Sequence, residues 1–142
     1  MRCPDALWIL GLVLIAGCGR SGGLDAKVVH GTVTVAGEKV DAGEVRFVPI
    51  EGTPGPTSAA TILDGQYRIE ARGGVPVGKH RVEVEARRKT GRQVQEHNGF
   101  ETTLVDETVR VGAAEYATDR SPLAREITPD ADGRIDLEIP AN

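Results

Sequence analysis

One stretch of the sequence decides the fold: residues 79–87, which read KHRVEVEAR. Successive side chains of a β-strand point to opposite faces, so Val82, Val84 and Ala86 share one face. On the other face lie charged residues, which discourage pairing with other molecules: Arg81, Glu83, Glu85 and Arg87. The stretch therefore predicts a strand with one face in a core and the other in water.

The same alternation extends outward along the chain. It predicts further strands, in order, at 29–35, 43–48, 57–63, 66–71, 104–111, 125–127 and 134–139. Two Asp-Gly dipeptides, at 64–65 and 132–133, predict hairpin turns, because both residues tolerate a positive φ. No segment has a helical period. Six to eight short strands with frequent turns predict an all-β fold, a single antiparallel β-sandwich.

Residues 88–103 break this alternation. They are polar and poorly patterned, and predict a long mobile loop. Functional residues are common on surface loops, so the basic residues here form our candidate contact surface: Arg87, Arg88, Lys89 and Arg92. A loop that is only solvated is the alternative.

The N-terminus carries the pattern of an export signal. Its apolar run at 6–14 is too short for a bilayer core, which needs about 20 apolar residues, and has the length of a signal-peptide core. It leads into Ile15-Ala16-Gly17-Cys18, which resembles the lipobox of bacterial lipoproteins. The resemblance implies cleavage after Gly17 and attachment of a diacylglycerol, with palmitate-type acyl chains, to the Cys18 thiol. The alternative is an ordinary secretory signal with Cys18 near the cut.

This pattern divides the chain into a signal peptide (1–17), a flexible tether with the lipidated cysteine (18–26) and one β domain (27–140). The lipid would hold the protein at a membrane of the cell envelope, facing the periplasm or the cell exterior. Gly19 and Arg20 follow the cysteine without an Asp. By resemblance to the proteobacterial sorting rule, this favours the outer membrane.

Composition excludes several classes of function. The 142 residues have a formal net charge of −4, so no basic surface for nucleic acid is expected. Cys3 would leave with the signal peptide, and Cys18 alone can form neither an intramolecular disulfide nor a centre of several thiolates. Trp8 would leave as well, and the remaining two Phe and two Tyr are too few for an aromatic stacking platform.

No catalytic or metal centre is predicted. His80 and Glu83 match the His-x-x-Glu of zinc carboxypeptidases, but residues three apart on a strand point to opposite faces and cannot share a metal. No serine lies in a Gly-x-Ser-x-Gly elbow. We therefore expect a protein without metal or cofactor that is not an enzyme. Convergence of His30, His80 and His97, the three histidines, would favour a metal or small-ligand site instead.

Short motifs follow one another along residues 27–139: Gly31-x-Val33, Gly37-Glu38-Lys39, Gly43-x-Val45-x-Phe47-x-Pro49, Asp64-Gly65-x-Tyr67, Val75-Pro76-x-Gly78-Lys79-x-x-Val82-x-Val84, Tyr116 with Ser121-Pro122-Leu123, and Ile135-x-Leu137-x-Ile139. Their order resembles the carboxypeptidase regulatory-like domains, transthyretin-like sandwiches found as small lipoproteins in planctomycete-type bacteria. The resemblance implies a prealbumin-like Greek-key sandwich of about seven strands. It implies no known activity.

The expected function follows from these observations. We expect a lipid-anchored, non-enzymatic module of the cell envelope that binds or scaffolds another envelope component. Its partners would be the membrane, through the N-terminal lipid, and an envelope protein. The alternative is a periplasmic protein that binds a small ligand or a metal. The sequence leaves the oligomeric state open.

Overall fold

The computed structural model describes residues 23–142, so the predicted signal peptide, its cleavage site and Cys18 lie outside the described residues. Of the described residues, 57% lie in β-strands. The strands are β1 (Ala26–Lys27), β2 (Val29–Val35), β3 (Glu38–Lys39), β4 (Ala42–Pro49), β5 (Ser58–Leu63), β6 (Gln66–Ile69), β7 (Val75–Pro76), β8 (Gly78–His97), β9 (Thr102–Val111), β10 (Ala124–Ile127) and β11 (Leu137–Ile139). The predicted all-β class is confirmed.

Nine of these strands form one sheet. Its main path runs β10-β8-β4-β5-β6-β2-β11, with β3 folded back on β2 and β9 paired with β8. The short strands β1 and β7 pair with each other outside this path. All pairs are antiparallel except β11 with β2, in which Leu137 lies opposite Val33 in parallel register.

The sheet curls around a single hydrophobic core. Strands from both ends of the path contribute to one buried cluster, including Val82 and Ile127 from one end and Val33 and Leu137 from the other. The ends also meet through hydrogen bonds. The N–H of Ala113 donates to the carbonyl of Pro140 at 3.0 Å, and the guanidinium of Arg88 donates to the carbonyl of Val35 at 3.0 Å. The result is a curled half-barrel, and the predicted seven-stranded Greek-key sandwich is not confirmed.

Alternation determines which side chains enter this core. In β4, Val45 and Phe47 are fully buried, whereas Glu44 and Arg46 between them are exposed. The predicted hairpin of β5 and β6 is present, with Leu63 opposite Gln66 across the Asp-Gly turn. Both turn residues have positive φ, 49° and 73°, as such a tight turn requires.

The second predicted hairpin, at Asp132-Gly133, is wrong. The strand before it, β10, pairs with β8, whereas β11 pairs with β2. After the turn the chain crosses onto β2 because Gly31 leaves room there. A Cβ on Gly31 would lie 1.9 Å from the carbonyl oxygen of Ile135. This close approach allows residues 133–139 to run parallel to β2.

The predicted loop at 88–103 is also wrong. Strand β8 continues to His97 and β9 begins at Thr102, so a turn of four residues separates two long strands. This part of β8 is exposed on both faces, and no core imposes an alternation on its sequence. Ala26, predicted to lie in the tether, lies in β1.

Two short 3-10 turns, at Ala71–Gly73 and Ala114–Ala117, are the helical segments of the described chain. Neither has the length and apolar character that a membrane-spanning helix needs.

Candidate functional site

The most prominent surface feature is a two-stranded ribbon, residues 88–109, formed by β8 and β9. Its base is at Arg87, which lies opposite Ala42, the first residue of β4. Beyond that point β8 pairs with β9 alone, and within residues 23–142 no strand covers the outer edge of either ribbon strand. Ten residues of extended strand span roughly 30 Å, so the ribbon projects well beyond the half-barrel.

A bulge between Lys89 and Gln93 shifts the register of the ribbon. The carboxylate of Glu107 holds this bulge in place. It accepts a hydrogen bond from the Thr90 hydroxyl at 2.6 Å and two from the Arg92 guanidinium at 2.9 and 3.1 Å. These hydrogen bonds hold the pKa of Glu107 below its usual range, and the bond from Thr90 has the larger effect. The bulge is therefore a built feature of the ribbon.

The four basic residues of the candidate contact surface lie on β8, at and just beyond the ribbon base. Each is in an ion pair: Arg87 with Glu85 (2.9 Å), Arg88 with Glu38 (3.1 Å), Lys89 with Asp106 (2.9 Å) and Arg92 with Glu107 (2.9 Å). Each positive charge therefore has a carboxylate beside it. Such surface pairs contribute little to stability. Their role in contacting a partner stays a prediction.

The ribbon ends in a structured tip. The N–H of Asn98 donates to the carbonyl of Glu101 at 3.1 Å, and the Asn98 side-chain oxygen accepts from the N–H groups of Phe100 and Glu101 at 3.1 and 2.9 Å. These bonds fix the backbone of Phe100, whose side chain is 95% exposed. Burying a phenylalanine contributes about 1.5–3 kcal/mol, so this side chain is a large unused apolar surface.

Further apolar side chains lie along the ribbon. Val94 lies opposite Val105, so this pair shares one face. Leu104 lies opposite Gln95 on the other face and is 63% exposed. The apolar surface thus extends from the tip into both faces of the ribbon, which is unusual for a solvated hairpin.

The ribbon leaves the half-barrel at the end opposite to the one where the described chain enters. The guanidinium of Arg88, at the ribbon base, contacts the carbonyl of Val35, at the end of β2. The entering strand β1 is separated by one residue from Val29, at the start of β2, and pairs with β7. The seven residues of β2, about 20 Å of strand, therefore separate the two ends.

The three histidines do not converge. His80 is fully buried in the core, edge-on to Phe47 with ring centroids 6.2 Å apart. His97 lies in the ribbon, with its Nδ1 3.0 Å from the Thr102 hydroxyl, and His30 lies in β2. Among the described residues, no group of three or more His, Cys, Asp or Glu is placed to hold a metal ion. The arrangement that would have favoured a three-histidine site is absent there.

His80 and Glu83 lie on opposite faces of β8, as predicted. The Nδ1–H of His80 donates a hydrogen bond to the Gly78 carbonyl at 3.1 Å, and Nε2 has no partner among the described residues. Glu83 lies on the outer face between two arginines, Arg81 at 2.8 Å and Arg46 at 3.2 Å. His80 therefore packs in the core and Glu83 forms ion pairs on the outer face, with the sheet between them.

The apolar side chains of the ribbon, above all Phe100, were not among the residues predicted from the sequence. One signal was present: Asn98-Gly99, a dipeptide typical of tight turns, directly precedes this isolated aromatic residue in a polar segment. A search for turn residues inside the supposed loop would have indicated two strands and a tip.

A comparison of the chain with protein-family models, with curated proteins and with solved structures found no match.

Proposed function

We propose that this protein is a lipid-anchored, non-enzymatic module of the cell envelope that binds another envelope protein through its ribbon. The anchor is the lipidated Cys18, after cleavage of Ile15-Ala16-Gly17, and the membrane is the outer one. The observation that carries the proposal is the ribbon itself: a projecting hairpin with two unpaired edges and a nearly fully exposed Phe100 at its tip.

The ribbon has the features of a protein-binding element. Its unpaired edges offer rows of backbone N–H and C=O groups to which a partner strand can add. Phe100 supplies an aromatic anchor of a type enriched in protein interfaces, and Leu104 adds exposed apolar area. Arg92 and Lys89 are already paired with carboxylates, so charge attraction plays the smaller part.

The direction of the ribbon favours a protein over the lipid surface as the partner of Phe100. The N-terminal lipid would reach the fold through β1, at the end of the half-barrel away from the ribbon. An anchor at that end directs the tip away from the membrane that holds the protein.

We also propose that the chain is related to the carboxypeptidase regulatory-like domains and that its fold derives from their Greek-key sandwich. The order of the sequence motifs supports it, and so do the seven strands of the main sheet path. A sandwich whose two sheets join along one side would resemble the curled sheet seen here.

The test is site-specific photo-crosslinking in cells with the full chain. A photoreactive phenylalanine analogue replaces Phe100 in one strain and Asp130, in the exposed loop at the other end of β2, in a control strain. We expect one dominant protein adduct from position 100, identified by mass spectrometry of the membrane fraction, and none from position 130. Competition by excess unlabelled protein should abolish the adduct.

The proposal also predicts which variants lose the adduct. Leu104→Ser, with the crosslinker at position 100, should reduce it because Leu104 contributes to the same apolar surface. Leu63→Ser removes an equally exposed leucine from the half-barrel and should leave the adduct unchanged. Absence of any reproducible adduct, or equal adducts from positions 100 and 130, would overturn the proposal.

A further inference from the structure

A row of three nitrogen-rich side chains crosses the outer face of the sheet, away from the ribbon. Arg68 of β6 lies opposite His30 of β2 in antiparallel register. Arg134 lies on the other side of His30 and forms a parallel bridge with it. Neighbouring strands are about 4.8 Å apart, so the Cα atoms of the two arginines are roughly 10 Å apart with the imidazole between them.

Both guanidinium groups are held in position by only one of their nitrogens. The Nε of Arg68 donates to Glu70 at 2.8 Å, and the Nε of Arg134 donates to Asp136 at 3.1 Å. Within residues 23–142 the terminal Nη groups of both arginines have no hydrogen-bond partner, and neither has the His30 ring. The arginines are therefore oriented, and their forked donors remain available.

These side chains line one groove of about 590 Å³. Two arginines line it against one carboxylate, that of Asp136. The carboxylate already accepts from the N–H and the hydroxyl of Thr32, at 2.9 and 3.0 Å, and from Arg134. These bonds hold the pKa of Asp136 below its usual range. Each arginine has one carboxylate beside it, Glu70 for Arg68 and Asp136 for Arg134, so the formal charges balance. What the groove offers an anion is its free Nη donors, with Thr61 and Gln66 as polar groups on its wall.

We infer that this groove binds a phosphate group, held between the guanidinium forks of Arg68 and Arg134 with His30 beneath it. Paired forks match the oxygens of a phosphate, and charge-assisted hydrogen bonds of this type are about twice as strong as neutral ones. The groove is on the half-barrel, so this inference does not depend on the ribbon or on the proposed function. The phosphate could be free or part of a lipid headgroup.

The experiment is a titration of the purified full chain with inorganic phosphate and, separately, with glycerol 3-phosphate, at constant ionic strength. Binding is followed by NMR shifts of the His30 ring and of the arginine Nε–H groups, and by the melting temperature. We expect saturable binding in at least one titration. Tighter binding of glycerol 3-phosphate would assign the site to a headgroup, and equal or tighter binding of phosphate to the free anion.

Two variants on different strands test the geometry. Arg68→Gln and Arg134→Gln should each weaken binding by about tenfold, because each removes one charged fork. Arg120→Gln makes the same charge change at an exposed position outside the groove and should leave binding within about twofold. No saturable binding by the wild type, or equal weakening by all three variants, would overturn the inference. Either variant alone suffices if the other does not fold.

Discussion

His80 shows how burial sets the chemistry of a single residue in this protein. Its ring is fully buried, and burial lowers its pKa, while the hydrogen bond to the Gly78 carbonyl partly opposes that shift. The imidazole is therefore neutral in the core and carries its proton on Nδ1. Protonation would place a charge beside Phe47, with Nε2 still lacking a partner among the described residues.

This burial predicts a loss of stability in acid. The unfolded chain protonates His80 near pH 6.5, the folded chain only at lower pH. Between these values the unfolded state holds the additional proton. The free energy of unfolding should therefore decrease as the pH is lowered through this range, by at most about 1.4 kcal/mol per pH unit. Above about pH 6.5, His80 should contribute nothing to the pH dependence of stability. Urea unfolding from pH 8 to 5 measures this.

The matched control for His80 is a variant that cannot titrate at this position. His80→Leu should flatten the pH profile between 6.5 and the lowered pKa, whereas His97→Leu, which removes an exposed histidine, should leave the wild-type slope. Equal slopes in the wild type and His80→Leu would contradict the prediction.

Gly31 illustrates a residue whose role no sequence pattern reveals. It occupies an inward position of β2, where alternation alone would favour an apolar side chain. The absence of a Cβ allows Ile135 to approach, and that approach determines the path of the last segment. The neighbour that requires the glycine is 104 residues away along the chain, so local sequence reasoning had no access to it.

At the scale of elements, the ribbon is an appendage of the half-barrel. None of the buried core residues lies between positions 88 and 109. Lys89 lies opposite Thr108, so the two strands are close enough there for a two-residue turn. Replacing residues 90–107 by Asn-Gly should therefore leave a folded half-barrel.

We expect this shortened variant to keep cooperative unfolding and a melting temperature within a few degrees of the wild type, because core burial is the main source of stability. Far-ultraviolet circular dichroism and calorimetry measure both. Under the proposed function an excess of this variant should also fail to compete for the adduct that position 100 of the full chain forms in cells. Non-cooperative melting would show that the ribbon is part of the folding unit.

Sequence patterns predicted elements that have one buried face. Strands β2, β4 and β5 lie where alternation placed them because their inward residues, such as Val33 and Phe47, had to be apolar. The second ribbon strand, predicted at 104–111, is present as β9, whereas the first, the end of β8, was missed since neither of its faces is buried in the half-barrel. The partner of β11 was missed because an Asp-Gly dipeptide reports a turn, not which strand the chain joins after it.

At the scale of the whole molecule, the proposed function depends most on where the described chain enters the half-barrel and where the ribbon leaves it. The described chain enters at the start of β2, and the ribbon leaves beyond its end. A protein anchored through its N-terminus would thus hold its ribbon at a distance from the membrane. The function proposed here depends on that anchor, which lies outside the described residues.

The anchor is testable through its cysteine. The buried core of the described chain runs from Val29 to Ile139, so Cys18→Ala removes the thiol without removing a core side chain. The variant should move from the membrane fraction to the soluble fraction, or be retained only by its uncleaved signal, and lose incorporation of labelled palmitate. Its half-barrel should melt at the wild-type temperature. Cys3→Ala removes the other cysteine, which the predicted cleavage would remove with the signal peptide, and should remain lipidated and membrane-bound. Palmitate incorporation that persists in Cys18→Ala would exclude Cys18 as the anchor, because this variant has no thiol at position 18.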